Sequence, residues 1–104
     1  MNTYISKDYR NNWKAESSTN LNDVLVFSVT TSKNSNGYLV TSASVGRKDG
    51  AFISHTVFQD FHQGIFMNHY PRITAKVVEK QHHEAIDKIQ SVMMAAKKHY
   101  GLAA

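Results

Sequence analysis

From residue 12 to residue 58 the chain alternates between apolar and polar side chains with a period of two, and turn-forming residues break the alternation at short intervals. No other feature restricts the fold as much. Successive residues of a strand point to opposite faces, so this period marks half-buried strands. Connections of only a few residues join antiparallel neighbours, because parallel ones need a crossover of a dozen residues or more. The run WKAES places Trp13, Ala15 and Ser17 on one side, with Lys14 and Glu16 on the other. VLVFSVTT (residues 24–31) is β-branched and apolar, the strongest strand signal in the chain. YLVTSASVG (38–46) and AFISHTVF (51–58) supply a third and a fourth strand. STNLND reads as the first turn; Asn36-Gly37 and Asp49-Gly50 supply the positive-φ residues of the next two. One face then gathers Leu25, Phe27, Val29, Leu39, Ala43, Val45, Ile53 and Val57.

An apolar sheet face needs a cover, and the C-terminal part of the chain provides one. Val78, Ala85, Ile86, Ile89, Val92, Met93, Ala96 and Tyr100 recur at helical spacing, which predicts a helix from residue 74 or 78 to residue 100. Glu84 and Lys88 form a favourable i,i+4 pair, Lys97, Lys98 and His99 suit the negative end of the helix dipole, and Gly101 suits a C-cap. The predicted class is α+β: a four-stranded antiparallel β-meander packed against one long C-terminal α-helix. Its 104 residues make a single domain. Residues 1–11 are left as a flexible arm and residues 102–104 as a frayed tail. The first strand, residues 12–18, then lies at an edge, where strand pairing would permit a homodimer.

Absence of cysteine excludes disulfides, thiolate metal sites and thiol chemistry, and fits a reducing compartment. The longest apolar run is five residues, Val92 to Ala96, too short for a membrane span, and the first ten residues lack a signal-peptide core. The expected location is the cytoplasm. Leu102-Ala103-Ala104 resembles the end of the tag that bacterial tmRNA adds to stalled chains, which implies a bacterial or phage protein of controlled lifetime.

Six histidines stand out. His55, His62 and His69 are seven apart and His82 and His83 are adjacent, yet none has the spacing of a zinc site. His83 lies four residues before Asp87, with Glu84 beside it, and reads as solvated helix surface. His55 and His62 with Asp60 are the candidates for acid-base cleavage of RNA, but His55 alternates with Ile53 and Val57 and reads as inward-facing. No P-loop, dinucleotide fingerprint or nucleophile elbow occurs. Neither an enzyme nor a bound metal or cofactor is expected.

Charge and aromatic content carry the functional expectation. The net charge of +4 favours acidic partners. The opening stretch YISKDYRNNWK interleaves Tyr4, Tyr9 and Trp13 with Lys7, Arg10 and Lys14, the composition of a base-stacking and phosphate-meeting surface. Arg72, Lys76 and Lys80 share one side of the helix entry. The expected function is non-enzymatic binding of a nucleic acid, a nucleoprotein complex or an acidic protein surface. Arg10, Lys14, Arg72, Lys76 and Lys80 would supply the electrostatics, and Trp13, Phe66 and Tyr70 the stacking or anchoring. The alternative is an anti-CRISPR-like inhibitor of a host enzyme or defence complex, acting through the aromatic loop at residues 58–72.

Overall fold

Residues 2–49 and 66–100 are described by the computed structural model. Among the described residues five antiparallel strands form one sheet in chain order: β1 (Asn2–Lys7), β2 (Trp13–Asn20), β3 (Leu25–Lys33), β4 (Leu39–Arg47) and β5 (Phe66–Asn68). The helix α1 (Ala75–His99) packs against it. This is the predicted α+β class. The segment read as the fourth strand, residues 51–58, lies outside the described residues, as does the tail at 101–104. Among the described residues β4 lies between β3 and β5, with Leu39 opposite Asn68 and Thr41 opposite Phe66 on the β5 side.

The N-terminal segment corrects the arm reading. Asn2–Lys7 is a full strand, in register with Ser18–Trp13 of β2. Its inward positions are Thr3, Ile5 and Lys7, so Ile5 is the lone apolar residue among them, and alternation of hydrophobicity gave no signal. The β propensity of Thr3, Tyr4 and Ile5 was the available clue. Strand β2 therefore lies between β1 and β3, and the exposed edge belongs to β1.

Turn chemistry sets the hairpins. In the third connection only Gly37 takes a positive φ, 85°. Asn34 closes that turn, its Oδ1 accepting from the backbone of Asn36 and Tyr38, each at 3.0 Å. Asn22 does the same between β2 and β3, accepting from Val24 and Leu25 at 2.8 and 2.7 Å. These side chains substitute for backbone partners at the turns.

Helix α1 starts at Thr74, whose hydroxyl accepts from the Val77 N–H at 3.3 Å. It ends where Tyr100 N–H reaches the Ala96 carbonyl at 3.1 Å, with Lys97, Lys98 and His99 in its last turn. Its buried stripe, Val78, Gln81, His82, Ala85, Ile89 and Ala96, faces the sheet.

The core is in two parts. Phe27, Val29, Ala43, Val45, Ile89 and Ala96 form the larger apolar cluster, with Phe66 and Tyr100 packed at its margin. Ala15, Leu39 and Val78 form the smaller one, flanked by Ile5, Trp13, Tyr70 and Ile73. Burying one large side chain contributes about 1.5–3 kcal/mol, so these clusters supply most of the stabilisation.

A polar layer crosses the interface as well. His82, fully buried, meets Thr31 Oγ1 through Nδ1 and Ser17 Oγ through Nε2, both at 2.7 Å. Thr31 continues to Thr41 at 2.6 Å and Ser17 to Thr3 at 3.0 Å. The five groups make one hydrogen-bonded chain. A neutral imidazole donates from one nitrogen and accepts at the other, so all the hydroxyls can point the same way along it.

Burial, and secondarily the neighbouring His83, lowers the His82 pKa from 6.5 to about 4. The unfolded chain therefore takes up a proton near pH 6.5 that the folded chain resists until about pH 4. The stabilisation is complete above pH 6.5 and is lost as pH falls through that window, by about 3 kcal/mol at the lower end. Urea denaturation from pH 7 to pH 4 should show this decline. His82→Gln should be less stable at pH 7 by about 1–3 kcal/mol and show a flatter profile. Parallel profiles for the two proteins would assign the decline to other groups.

Candidate functional site

Successive turns of a meander emerge at alternate ends of the sheet. Because β1 is a strand, the turn after it (residues 8–12) and the turn after β3 (residues 34–38) share one end. The start of α1 arrives at the same end, since Ile73, Val77 and Val78 pack with Trp13 and Leu39. Three chain segments thus converge there.

Two depressions lie between them. The larger, about 360 Å³, is lined by Trp13, Gly37, His69, Tyr70 and Ile73 among others. The smaller, about 270 Å³, is lined by Asp8, Tyr9, Arg10, Asn34 and Ser35. Asn12 and Lys33 line both, and so form the wall between them.

The aromatic groups are held in different ways. Trp13 is half-buried against the smaller core cluster, and the Lys7 ammonium stands 4.7 Å from its ring centre. With a cation over the ring and the smaller core cluster packed against the side chain, Trp13 holds Lys7 at the rim of the depression it lines. Tyr70 is half-buried too, and its hydroxyl donates to Gln81 Oε1 at 3.2 Å. Gln81 is itself buried and also accepts from Asn68 Nδ2. Tyr9 is 89% exposed, with the Arg10 guanidinium 5.2 Å from its ring centre. Tyr38 and His69 meet edge to face, their centres 5.1 Å apart.

The cations differ just as clearly. On the sheet face opposite the helix, Lys14 is bound to Glu16 at 2.9 Å. At the far end, Arg47 is bound to Asp49 at 3.0 Å through paired hydrogen bonds. Lys7, Arg10, Lys33, Arg72, Lys76 and Lys80 have no carboxylate at ion-pair distance among the described residues. Asp8 is an acid lining the smaller depression, and its Oδ1 is committed to its own turn, accepting from Arg10 N–H at 2.8 Å and Asn12 N–H at 3.0 Å. The bond from Asn12, helped by that from Arg10, lowers its pKa and keeps it ionised.

The structure brings Arg10, Trp13 and Tyr70 together at this end, with Arg72 between two residues of the larger depression, Pro71 and Ile73. Lys76 and Lys80 are exposed on the first turns of α1. Two expected residues do not join them. Lys14 lies on the opposite sheet face, in its pair with Glu16. Phe66 turns inward as part of β5 and packs on the larger core cluster, since it falls opposite Thr41 on the buried face. Sequence reasoning missed Lys33 and Tyr38 as members, because recognising that the first and third turns coincide requires β1.

The described part of the aromatic loop, residues 66–72, contributes β5 and one wall of the groove; residues 58–65 lie outside the described residues, as do His55, Asp60 and His62. His83 approaches Glu79 at 3.9 Å on the exposed side of the helix. Among the described residues no group of three metal-ligating side chains converges, and no helix is long and apolar enough to cross a membrane. No protein-family model, curated protein or solved structure matches the chain.

The groove's first turn depends on Asn11, which holds a left-handed φ of 61°. Asparagine tolerates this region and β-branched residues do not. Asn11→Gly should leave stability within about 0.5 kcal/mol, whereas Asn11→Val should cost roughly 1–2 kcal/mol in thermal unfolding. Equal effects of the two would remove strain as the reason for asparagine here.

Proposed function

We propose that the protein is a non-enzymatic binding module whose acidic partner, a nucleic acid or a nucleoprotein complex, docks on the end of the sheet where the first and third turns meet the start of α1. The observation carrying this reading is the convergence of cations at this end. Arg10 and Lys33 line the depressions, Arg72 adjoins them and Lys76 and Lys80 follow on α1, and none of the five has a carboxylate at ion-pair distance among the described residues. Lys48, Lys88, Lys97 and Lys98 are likewise unpaired among the described residues, so it is placement that sets the groove cations apart.

Two physical arguments support it. A cation already paired must surrender its carboxylate before it meets a phosphate, whereas an unpaired one gives the full gain. The first turn of α1 holds Lys76 and no acid, against the preference of the positive helix end. That arrangement costs the free protein a few tenths of a kcal/mol or more, and an anionic partner offsets the cost. The opposite terminus is arranged conventionally, with Lys97, Lys98 and His99 at the negative end.

Binding to fluorescein-labelled DNA should weaken roughly 20- to 500-fold between 50 and 200 mM salt if three to five phosphates are engaged. Charge reversal at Arg10 and Lys33 should lower affinity by about tenfold or more at low salt, given charge-assisted contacts of about 1.5–3 kcal/mol each. The same change at Lys48 and Lys98, remote from the groove, should have a much smaller effect. Equal losses from both pairs would show that net charge alone drives binding. No binding to any nucleic acid or acidic polymer at low salt would overturn the reading.

A further inference from the structure

Resting on the reading that this end of the sheet takes an acidic partner, we propose that the partner is single-stranded nucleic acid, with neighbouring bases in the two depressions and the phosphate between them on Lys33.

The argument begins with the shared wall. Asn12 and Lys33 border both depressions, so any ligand occupying both must cross them. Lys33 is exposed and has no carboxylate at ion-pair distance among the described residues, which leaves its ammonium for whatever crosses. A polymer of flat rings joined by anionic links fits this alternation of depression, cation and depression. An acidic peptide offers the charge without the rings.

Size and lining favour an unpaired strand. At about 360 Å³ the larger depression stands at the small end of ligand sites, which begin near 300 Å³, and the smaller, at about 270 Å³, falls just below it. Each is suited to one ring system, not to the width of a duplex. Aromatic groups border both: Tyr70 and His69 the larger, Tyr9 the smaller. Bases in a duplex are stacked on one another, so side-chain rings reach base faces in unpaired strands. The amide of Asn12 on the wall offers both a donor and an acceptor to base edges, and none of its side-chain atoms is engaged among the described residues. Asp8 borders the smaller depression, where a carboxylate accepts from base amino groups and repels phosphate. The phosphate path is thereby confined to the Lys33 side.

Trp13, the chain's sole tryptophan, lines the larger depression and reports directly on occupancy. The 104-residue chain is titrated at low salt with a mixed-sequence 12-nucleotide DNA strand, the RNA of the same sequence, the corresponding DNA duplex, and heparin as a polyanion without bases. Tryptophan emission and the anisotropy of labelled oligonucleotide are both read. Single strands should bind about tenfold or more tighter than duplex and change Trp13 emission. Tyr9→Ala and Lys33→Ala should each weaken single-strand binding about 5- to 100-fold, the range of a stacking contact, while Lys98→Ala leaves it within twofold. Tyr9 is 89% exposed, so its loss removes no packing that the fold requires. Duplex and heparin binding as tightly as single strands, with Trp13 emission unmoved, would overturn the single-strand inference and leave the acidic-partner reading standing. Binding of none of the four would end both.

Discussion

One imidazole fixes how the helix lies on the sheet. His82 is bonded at the same time to Ser17 on β2 and Thr31 on β3, two strands apart from the helix in sequence by 65 and 51 residues. Apolar packing alone leaves a helix some freedom to slide and rotate, because Val, Ala and Ile side chains accept several arrangements at small cost. A buried polar group has no such latitude, since each lost bond leaves a hydroxyl or ring nitrogen unsatisfied at roughly 1–3 kcal/mol. The polar layer lies between two apolar clusters and pins the position of both. Gln81, the adjacent residue on α1, extends the same layer towards Asn68 and Tyr70. The groove follows from that placement. From His82 back to Ala75 the helix rises about 10 Å, which sets its first turn beside the turns that carry Tyr9 and Lys33.

Much of this was legible in the chain. Strands β3 and β4 lie within two residues of the segments that alternation marks, and α1 spans the predicted stretch from its Thr74 cap. Six of the inward positions, Leu25, Phe27, Val29, Leu39, Ala43 and Val45, face the helix as expected. Two things escaped. Strand β1 buries little, so a reading based on apolar alternation passes over it, and the coincidence of two turns is lost along with it. His82 was hidden by its neighbour: the pair reads as polar surface, although position 82 lies four residues after Val78 and three before Ala85 on the buried stripe. Ser17, Thr31 and Thr41 likewise fall in phase with apolar neighbours. A polar residue on the inward phase of a strand, met by another on the inward phase of the helix, is the pattern that signals such a layer.

The corrections to individual residues have a common cause. Lys14 and Phe66 were grouped with the binding residues by type, as a cation and a ring, and type says nothing about direction. In β2 the phase that buries Ala15 sends Lys14 to the opposite face, where Glu16 neutralises it. In β5 the pairing of Phe66 with Thr41 sends the ring inward. Trp13 shows the finer point: the ring is at the groove, but it also packs on the core and carries the Lys7 ammonium, so its part includes positioning charge.

That use of Trp13 bears on how the groove end holds its charge. Lys7 lies on the inward phase of β1 at the rim of the smaller core cluster, where its side chain stays exposed and its ammonium meets the Trp13 ring. The indole ring attracts it through its quadrupole, at about 0.5–1 kcal/mol for a site open to water. A carboxylate would attract it more strongly but would also cancel its charge. The ring stabilises the ammonium and leaves its charge intact. Arg10 over Tyr9 repeats the arrangement one turn away. At this end of the molecule, then, the rings support cations and the turn backbone occupies an oxygen of Asp8, whereas at Lys14 and Arg47 carboxylates take up the charge. What sets this end apart is therefore the meeting of Arg10 and Lys33 on two neighbouring turns beside the start of α1, which the pairing of β1 with β2 brings about.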